Sequence, residues 1–194
     1  GADSSSTDQF GTGIDITGLS GKLAELVEMR GTDNAFVGYI VTTYDSSVEQ
    51  NSYYYVDTSG NATQFTLSGV SDPDEDYLIA AAQVINGTVV FVTAERTVWT
   101  VAPGGATATD SGTDVDYYLD SKAVSLLDAS STMLVATNYG LWTVSYDGSS
   151  VDVDDPSDYS SLVDTSSVHI VGAFKTSING SAVFVTEESG VFFY

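Results

Sequence analysis

Three segments of this chain repeat one pattern: Thr88-Val-Val-Phe-Val-Thr93, Thr132-Met-Leu-Val-Ala-Thr137 and Ser181-Ala-Val-Phe-Val-Thr186. Their closing threonines lie 44 and 49 residues apart, and each is followed five or six residues later by a bulky aromatic, Trp99, Trp142 and Phe192. Tyr55 stands 44 residues before Trp99, and Tyr55-Val-Asp-Thr-Ser-Gly60 reads like Trp99-Thr-Val-Ala-Pro-Gly104 and Trp142-Thr-Val-Ser-Tyr-Asp-Gly148. The chain of 194 residues therefore reads as four copies of a unit of roughly 45 residues. Such a period constrains the fold more than any local pattern. Each copy must be one supersecondary unit that buries its apolar faces against the next.

Within a copy the segments are short, rich in valine, threonine and aromatics, and bounded by turn residues, which is the signature of strands. Asn86-Gly87 and Asn179-Gly180 are the dipeptides that close type I′ hairpins, because both central residues take positive φ. An inner strand (Tyr77 to Val84, Lys122 to Asp128, Val168 to Phe174) precedes a second (Thr88 to Thr93 and equivalents). A third is centred on the aromatic, and an outer polar one follows (Ala106 to Thr109, Ser149 to Asp154). Ala80, Ala81, Ala82, Gly172 and Ala173 fall on inner strands, where crowding round an axis favours small side chains. Leu23 to Arg30 has helical spacing at Leu19, Leu23 and Leu26, but the repeat register places it at the inner strand of the first copy, and strand is the reading adopted.

Four antiparallel strands per unit of this length resemble the β-propeller superfamily. Four copies resemble a four-bladed ring comparable in size to hemopexin-like domains; an open sandwich of the same strands is the alternative. The resemblance implies an all-β, four-bladed β-propeller of four-stranded antiparallel blades. It rests on pattern, since the chain lacks a well-placed Trp-Asp dipeptide, a kelch double glycine and cysteine, so no binding residue is carried over. The expected organisation is a single domain, 1–194, with residues 1–7 loosely ordered and blades at roughly 18–69, 70–112, 113–155 and 156–194 plus 8–17. The last assignment follows from Thr7-Asp-Gln-Phe10, which resembles Ala62-Thr-Gln-Phe65 of an outer strand. A strand from Thr7 to Ile16 is expected to pair with Val191 to Tyr194, completing the last blade and removing an open edge.

Catalytic signatures are sparse. The one histidine, His169, has neither a G-x-S-x-G serine nor a cysteine to activate, and no Walker A or G-x-G-x-x-G motif occurs. No cofactor, catalytic residue or metal site is assigned, and the chain is not expected to be an enzyme. The connectors Asp72-Pro-Asp-Glu-Asp-Tyr77, Asp114-Val-Asp-Tyr-Tyr118 and Asp154-Asp-Pro-Ser-Asp-Tyr159 could offer oxygen ligands, but they lack an EF-hand spacing and read as solvated surface. Aspartates beside tyrosines there could also meet a sugar or a cationic loop. Asn61-Ala-Thr63, Asn86-Gly-Thr88 and Asn179-Gly-Ser181 satisfy the N-glycosylation pattern, although two of them double as hairpin turns. The largest departure between copies is the span from Thr43 to Tyr55, twelve residues against five or six elsewhere. It predicts a loop, Tyr44 to Asn51, in which Tyr44, Asp45, Glu49 and Gln50 are the candidate contact residues, because loops carry specificity on a repeated scaffold.

Twenty aspartates and seven glutamates face five basic residues, a formal charge of -22, while 42% of the chain is apolar. Such apolar content argues for a packed core and against disorder. The charge excludes nucleic acid as a partner, for want of a basic patch, and no apolar run approaches the length of a bilayer span. The composition resembles that of extreme halophiles. The expected function is accordingly a non-catalytic structural or interaction module: a small freestanding propeller without an enzyme domain, anchor or evident signal peptide. It is expected on the exterior of a virion (capsid spike, turret or tail-associated protein) of a virus infecting halophilic archaea. The alternative is a secreted or cell-surface propeller of a haloarchaeon that binds glycan or protein; a hydrolase comes third. Expected partners are other virion or surface-layer proteins and host-surface glycan or protein, within a homo- or hetero-oligomeric assembly in high salt.

The charge yields a first prediction. Self-repulsion of the carboxylates weakens the compact state until salt shortens the Debye length from about 10 Å to about 3 Å. Thermal melts at about 0.1 M and about 3 M KCl should differ by well over 10 °C in favour of high salt; coincident melts would remove the halophile reading.

Overall fold

The computed structural model describes residues 16–31, 35–115, 124–127, 132–137, 140–154, 170–175, 182–186 and 190–193, and within them the chain is all-β. Among the described residues the valine-, threonine- and aromatic-rich segments form strands, fifteen in number, with one short 3-10 turn at Glu75–Tyr77. The first antiparallel run is β1 (Lys22–Arg30), β2 (Phe36–Asp45), β3 (Gln50–Val56) and β4 (Ala62–Leu67). The second is β5 (Ile79–Ile85), β6 (Thr88–Thr93), β7 (Thr97–Val101) and β8 (Thr107–Asp114). A separate four-stranded sheet follows, β9 (Val124–Leu127), β10 (Met133–Thr137), β11 (Gly140–Tyr146) and β12 (Val151–Asp154). Then comes a three-stranded one, β13 (Ile170–Lys175), β14 (Ala182–Thr186) and β15 (Gly190–Phe193).

The first two runs join into one eight-stranded sheet, in the order β1-β2-β3-β4-β8-β7-β6-β5. The joint is a short parallel pairing of outer strands, Thr66 with Thr107 and Leu67 with Ala108, in which the Thr66 amide donates to the Ala106 carbonyl at 3.1 Å. The two end strands, β1 and β5, lie beside each other, and the Arg30 amide donates to the Gln83 side-chain oxygen at 2.8 Å. The sheet is thus nearly closed and barrel-like. Strands β5 and β9, and β9 and β13, also lie side by side, so the first strand of each run neighbours the first strand of the next.

What holds this arrangement is burial on both faces of the β5–β8 run. Along β6, Val89 and Phe91 pack into one cluster with Met29, Tyr53, Phe65 and Trp99, while Val90 and Val92 pack into another with Met133, Val135, Trp142 and Val144. Successive side chains of a strand point to opposite faces, so a run that is apolar at every position must have a neighbour on each side. Strand β5 is flanked likewise, and Ala80, Ala81 and Ala82 there are fully buried, as expected of a crowded inner strand. Lys22–Arg30 is a strand despite its helix-forming composition, because the ladder to β2 and the burial of Met29 outweigh local propensity.

Asn86 and Gly87 take φ of 50° and 76°, the two left-handed positions a type I′ hairpin needs. Gly38, at φ 146°, is required for a different reason: a Cβ there would collide with the Val56 carbonyl.

One register expectation needs correction. Trp99 pairs with Phe91 and Trp142 with Val135, in each case two residues before the closing threonine. The residue opposite Val41, two before Thr43, is Tyr54. Tyr54 is 2% exposed, whereas Tyr55 is half-buried and points to the opposite face. A slip of one residue exchanges the faces of a strand, and three consecutive tyrosines hide it from a spacing argument.

Tyr54 packs with Val41, Val56, Ile16 and Leu19, and its hydroxyl meets the Ser20 hydroxyl at 2.7 Å. The segment before β1 continues as a parallel bridge, Thr17 with Asn61, in which the Thr17 amide donates to the Gly60 carbonyl at 3.3 Å. The expected strand Thr7 to Ile16 lies outside the described residues except for Ile16, as do Tyr194, His169 and Asn179-Gly180.

Trp99 fills the contact between the two halves of the eight-stranded sheet, with its indole Nε1 buried and no hydrogen-bond partner among the described residues. Trp99→Ala should cost about 3–5 kcal/mol. Trp99→Phe, which removes the unpaired N–H, should cost less. Urea unfolding monitored by circular dichroism would check the order.

Candidate functional site

The extra residues between Thr43 and Tyr55 do not form a loop. They lengthen the β2–β3 hairpin by two rungs, Tyr44 with Asn51 and Asp45 with Gln50, leaving a four-residue turn, Ser46 to Glu49. Tyr44, Asp45 and Gln50 therefore sit on strands, and only Glu49 of the four nominated residues belongs to the turn. The sequence expectation failed because each added pair can continue the ladder, satisfying backbone groups that a loop would leave to water. The Asp45 carboxylate accepts from the Ser47 amide at 2.8 Å and the Ser47 hydroxyl at 2.6 Å, which holds its carboxyl below the ordinary range. Glu49 takes φ 57° to complete the turn.

The lengthened hairpin reaches the acidic connector between β4 and β5. Gln50 Nε2 donates to Asp72 Oδ1 at 2.7 Å, the Asn51 amide to the Pro73 carbonyl at 2.7 Å, Asn51 Nδ2 to the Asp74 carbonyl at 2.5 Å, and the Tyr53 hydroxyl to the Tyr77 carbonyl at 2.9 Å. Asp74 in turn caps the Glu75–Tyr77 turn by accepting from the Asp76 amide at 3.1 Å. Burial pushes the Tyr53 phenol well above its ordinary value, against a smaller opposing effect of the Asn51 side chain. Burial followed by the Glu95 carboxylate raises Tyr77. Both phenols stay neutral donors.

Between hairpin and connector lies an open cleft of about 640 Å³ lined by Ala24, Tyr44, Glu49, Asn51, Asp74, Glu75 and Leu78. Two features read from sequence as separate candidates, the insertion and the first Asp/Tyr connector, thus form one place. Tyr44 and Glu49 are on the cleft wall, whereas Gln50, tied to Asp72, and the exposed Asp45 are outside the lining. Asn51, Asp74, Glu75, Leu78 and Ala24 were not nominated. The aspartate-rich connector texture pointed to Asp74 and Glu75, whereas Ala24, Asn51 and Leu78 are set by packing and leave no sequence signal. Of the two later connectors only Asp114, Val115 and Asp154 are described.

Chemically the cleft offers carboxylates, an amide and a phenol, flanked by the apolar surfaces of Ala24 and Leu78. Among the described residues no group of three histidine, cysteine, aspartate or glutamate side chains is placed to hold a metal ion. No helix among them is long and apolar enough to cross a membrane. Of the glycosylation patterns, Asn61 is exposed, while Asn86 uses its side-chain amide to donate to the Tyr146 carbonyl at 2.6 Å, tying the β5–β6 turn to β11.

The sequence matches no family model and none of the curated proteins compared. Solved structures do resemble it. A catalytically inactive H270A virginiamycin B lyase from Staphylococcus aureus with quinupristin superimposes at TM-score 0.51 and 12% identity, over 86% of this chain and 50% of the lyase. The chain thus spans about half the length of that protein. The computationally designed Ika4 protein superimposes at TM-score 0.52 and 12% identity, over 95% of this chain and 98% of Ika4. Virginiamycin B lyase is a β-propeller, and at this identity the likeness shows the fold alone: this chain is all-β and propeller-like.

Proposed function

We propose that the protein is a non-catalytic interaction module, a four-bladed propeller closed by its N-terminal segment, that makes its contacts through the β2–β3 hairpin tip and the adjoining cleft. Three observations support the ring. The runs β1–β4, β5–β8 and β9–β12 each have four antiparallel strands, the last run, β13–β15, has three among the described residues, and the first strands of successive runs are neighbours. The bridge Thr17–Asn61 repeats the geometry of Thr66–Thr107: the end of one outer strand runs parallel to the start of the next. Residues before Thr17 would then supply the outer strand of the blade that contains β13–β15.

The single observation that carries the functional reading is the departure from repetition at the hairpin. A scaffold built of like units is interrupted once, among the described residues, by two added rungs that are bonded to the neighbouring connector and enclose a cleft. We place the module on the exterior of a virion of a virus infecting halophilic archaea, because a charge of -22 suits a surface that works in concentrated salt. A haloarchaeal secreted or cell-surface propeller is the second reading, favoured by the exposed Asn61-Ala-Thr63 pattern. Intact mass of the native protein separates them: glycan-sized additions favour the cell surface, the bare chain the virion.

Replacing residues 46 to 49 with Asn-Gly would keep the Asp45–Gln50 rung and close it with a two-residue turn, removing Glu49 from the cleft wall. The melting temperature should move by no more than about 2 °C, while attachment to the parent particle or surface should fall at least tenfold. Unchanged attachment would place the contact elsewhere.

A further inference from the structure

We infer that the crevice between the second and third four-stranded runs binds a neutral sugar, one pyranose residue of a glycan. This site is separate from the hairpin cleft, and the two share no lining residue. At the joint between the first two runs β4 pairs with β8 in parallel, Thr66 with Thr107, and Thr17 pairs with Asn61 in the same way. In repeat register the matching pair at the next joint is Gly112 with Asp152, but β8 and β12 belong to separate sheets and no such pair forms. The cause is a bulge. Between the pairs Trp99–Asp110 and Thr97–Asp114, the residues Ser111, Gly112 and Thr113 stand against Val98 alone. The Gly112 amide donates to Asp110 Oδ1 at 2.7 Å and the Thr113 amide to Ser111 Oγ at 3.2 Å, with Gly112 at φ 71°. Amides that would reach a neighbouring strand are thus turned onto their own bulge, and a space of about 390 Å³ opens between β8 and the β11–β12 turn.

The lining selects the ligand. Six hydroxyls surround the space, those of Thr100, Thr109, Ser111, Thr113, Ser149 and Ser150, with one carboxylate, Asp110, and no basic side chain. An anion finds no cation in this lining, a metal ion no second carboxylate, and an added strand no free amide at Gly112 or Thr113. A neutral polyol fits, because hydroxyls both donate and accept. Those of the turn are oriented beforehand: Ser149 and Ser150 donate to the Asp147 carboxylate at 2.8 Å and 3.3 Å, which leaves their lone pairs to accept. Asp110 keeps Oδ2 for a charge-assisted bond from a sugar hydroxyl. Tyr146 decides for a ring over a linear polyol. It is half-buried, packs against the cluster that holds Trp142 and Val144, and pairs with Val151, so the two side chains form a fixed apolar platform for the C–H face of a pyranose.

The test is an NMR titration of the ¹⁵N-labelled protein in about 3 M KCl. The probes are the methyl pyranosides of glucose, galactose, mannose and N-acetylglucosamine, with sorbitol as the linear comparison. At least one pyranoside should shift the amides of Ser111 to Thr113 and Ser149 to Val151 saturably, with a dissociation constant of about 0.1–10 mM, and sorbitol should bind about tenfold more weakly or worse. Since the ligand is neutral, dilution to about 1 M KCl should change its affinity by no more than about twofold. Asp110→Asn keeps an acceptor for the Gly112 amide, and hence the bulge, but removes the charge; it should weaken the sugar by about five- to tenfold. Thr100→Val, which keeps the shape, should weaken it by about two- to fivefold. Tyr146→Leu, which keeps apolar contact but loses the ring, should weaken it by about fivefold. In each variant the amides of Ile40 to Thr42, on β2, should keep their positions, which shows an intact fold. No saturable shift with any of the four pyranosides, shifts confined to other surfaces, equal affinity for sorbitol, or full affinity in all three variants would overturn the inference.

Discussion

Burial on both faces of successive sheets is the constraint from which the rest of the structure follows. Strand β6 is apolar at every position from Val89 to Val92, and its two faces belong to two different clusters. A sheet of this kind cannot be the outer layer of a sandwich, because one face would then meet water at roughly 25 cal/mol for each Å² of apolar surface. It needs a neighbour before it and another after it. The neighbours are supplied by the β1–β4 run on one side and the β9–β12 sheet on the other. The first run has the same requirement, since Val41, Tyr54 and Val56 form a cluster on its far face, covered in part by Ile16 and Leu19. A row of two-faced sheets is satisfied at every step only if it returns to its start, and this is the physical motive for the proposed ring.

The same constraint separates scaffold from site. Aromatics that recur at the repeat period are 2% exposed and act as packing: Trp99 and Trp142 between successive runs, and Tyr54 against Ile16 and Leu19. The hairpin tip escapes the repeat because it projects past the last rung that the core requires. There the sequence can change without disturbing either cluster, and there hydrogen bonds to the connector, not apolar burial, fix the geometry. The cleft is accordingly polar and open. It is also acidic, in a protein whose surface carries a large excess of carboxylates.

How much of this was legible in sequence depended on whether the signal was local. The boundaries of β6 and the type I′ turn at Asn86-Gly87 follow from apolar runs and turn chemistry, and both hold. The strand at Lys22–Arg30 was legible only from the repeat register, since its own composition favours helix. The repeat position falls on Tyr54 and not, as spacing suggests, on Tyr55, because Tyr53, Tyr54 and Tyr55 are chemically alike and only strand facing distinguishes them. The insertion was found but read as a loop, because residue counts do not show whether extra residues extend a ladder. The cleft was found in halves: its joining depends on Asn51 and Gln50 reaching across to Asp72 and Asp74, pairs 22 and 23 residues apart.

Closure is the most direct point at which to test the account. In uniformly labelled protein at high salt, cross-strand nuclear Overhauser effects between backbone protons of residues 8–15 and those of Val191, Phe192 and Phe193 would report the pairing that completes the ring. The account predicts an antiparallel pattern of close Hα–Hα and amide contacts, with slowed amide exchange on both segments. Rapid exchange throughout residues 8–15 and no contact with Val191–Phe193 would contradict it.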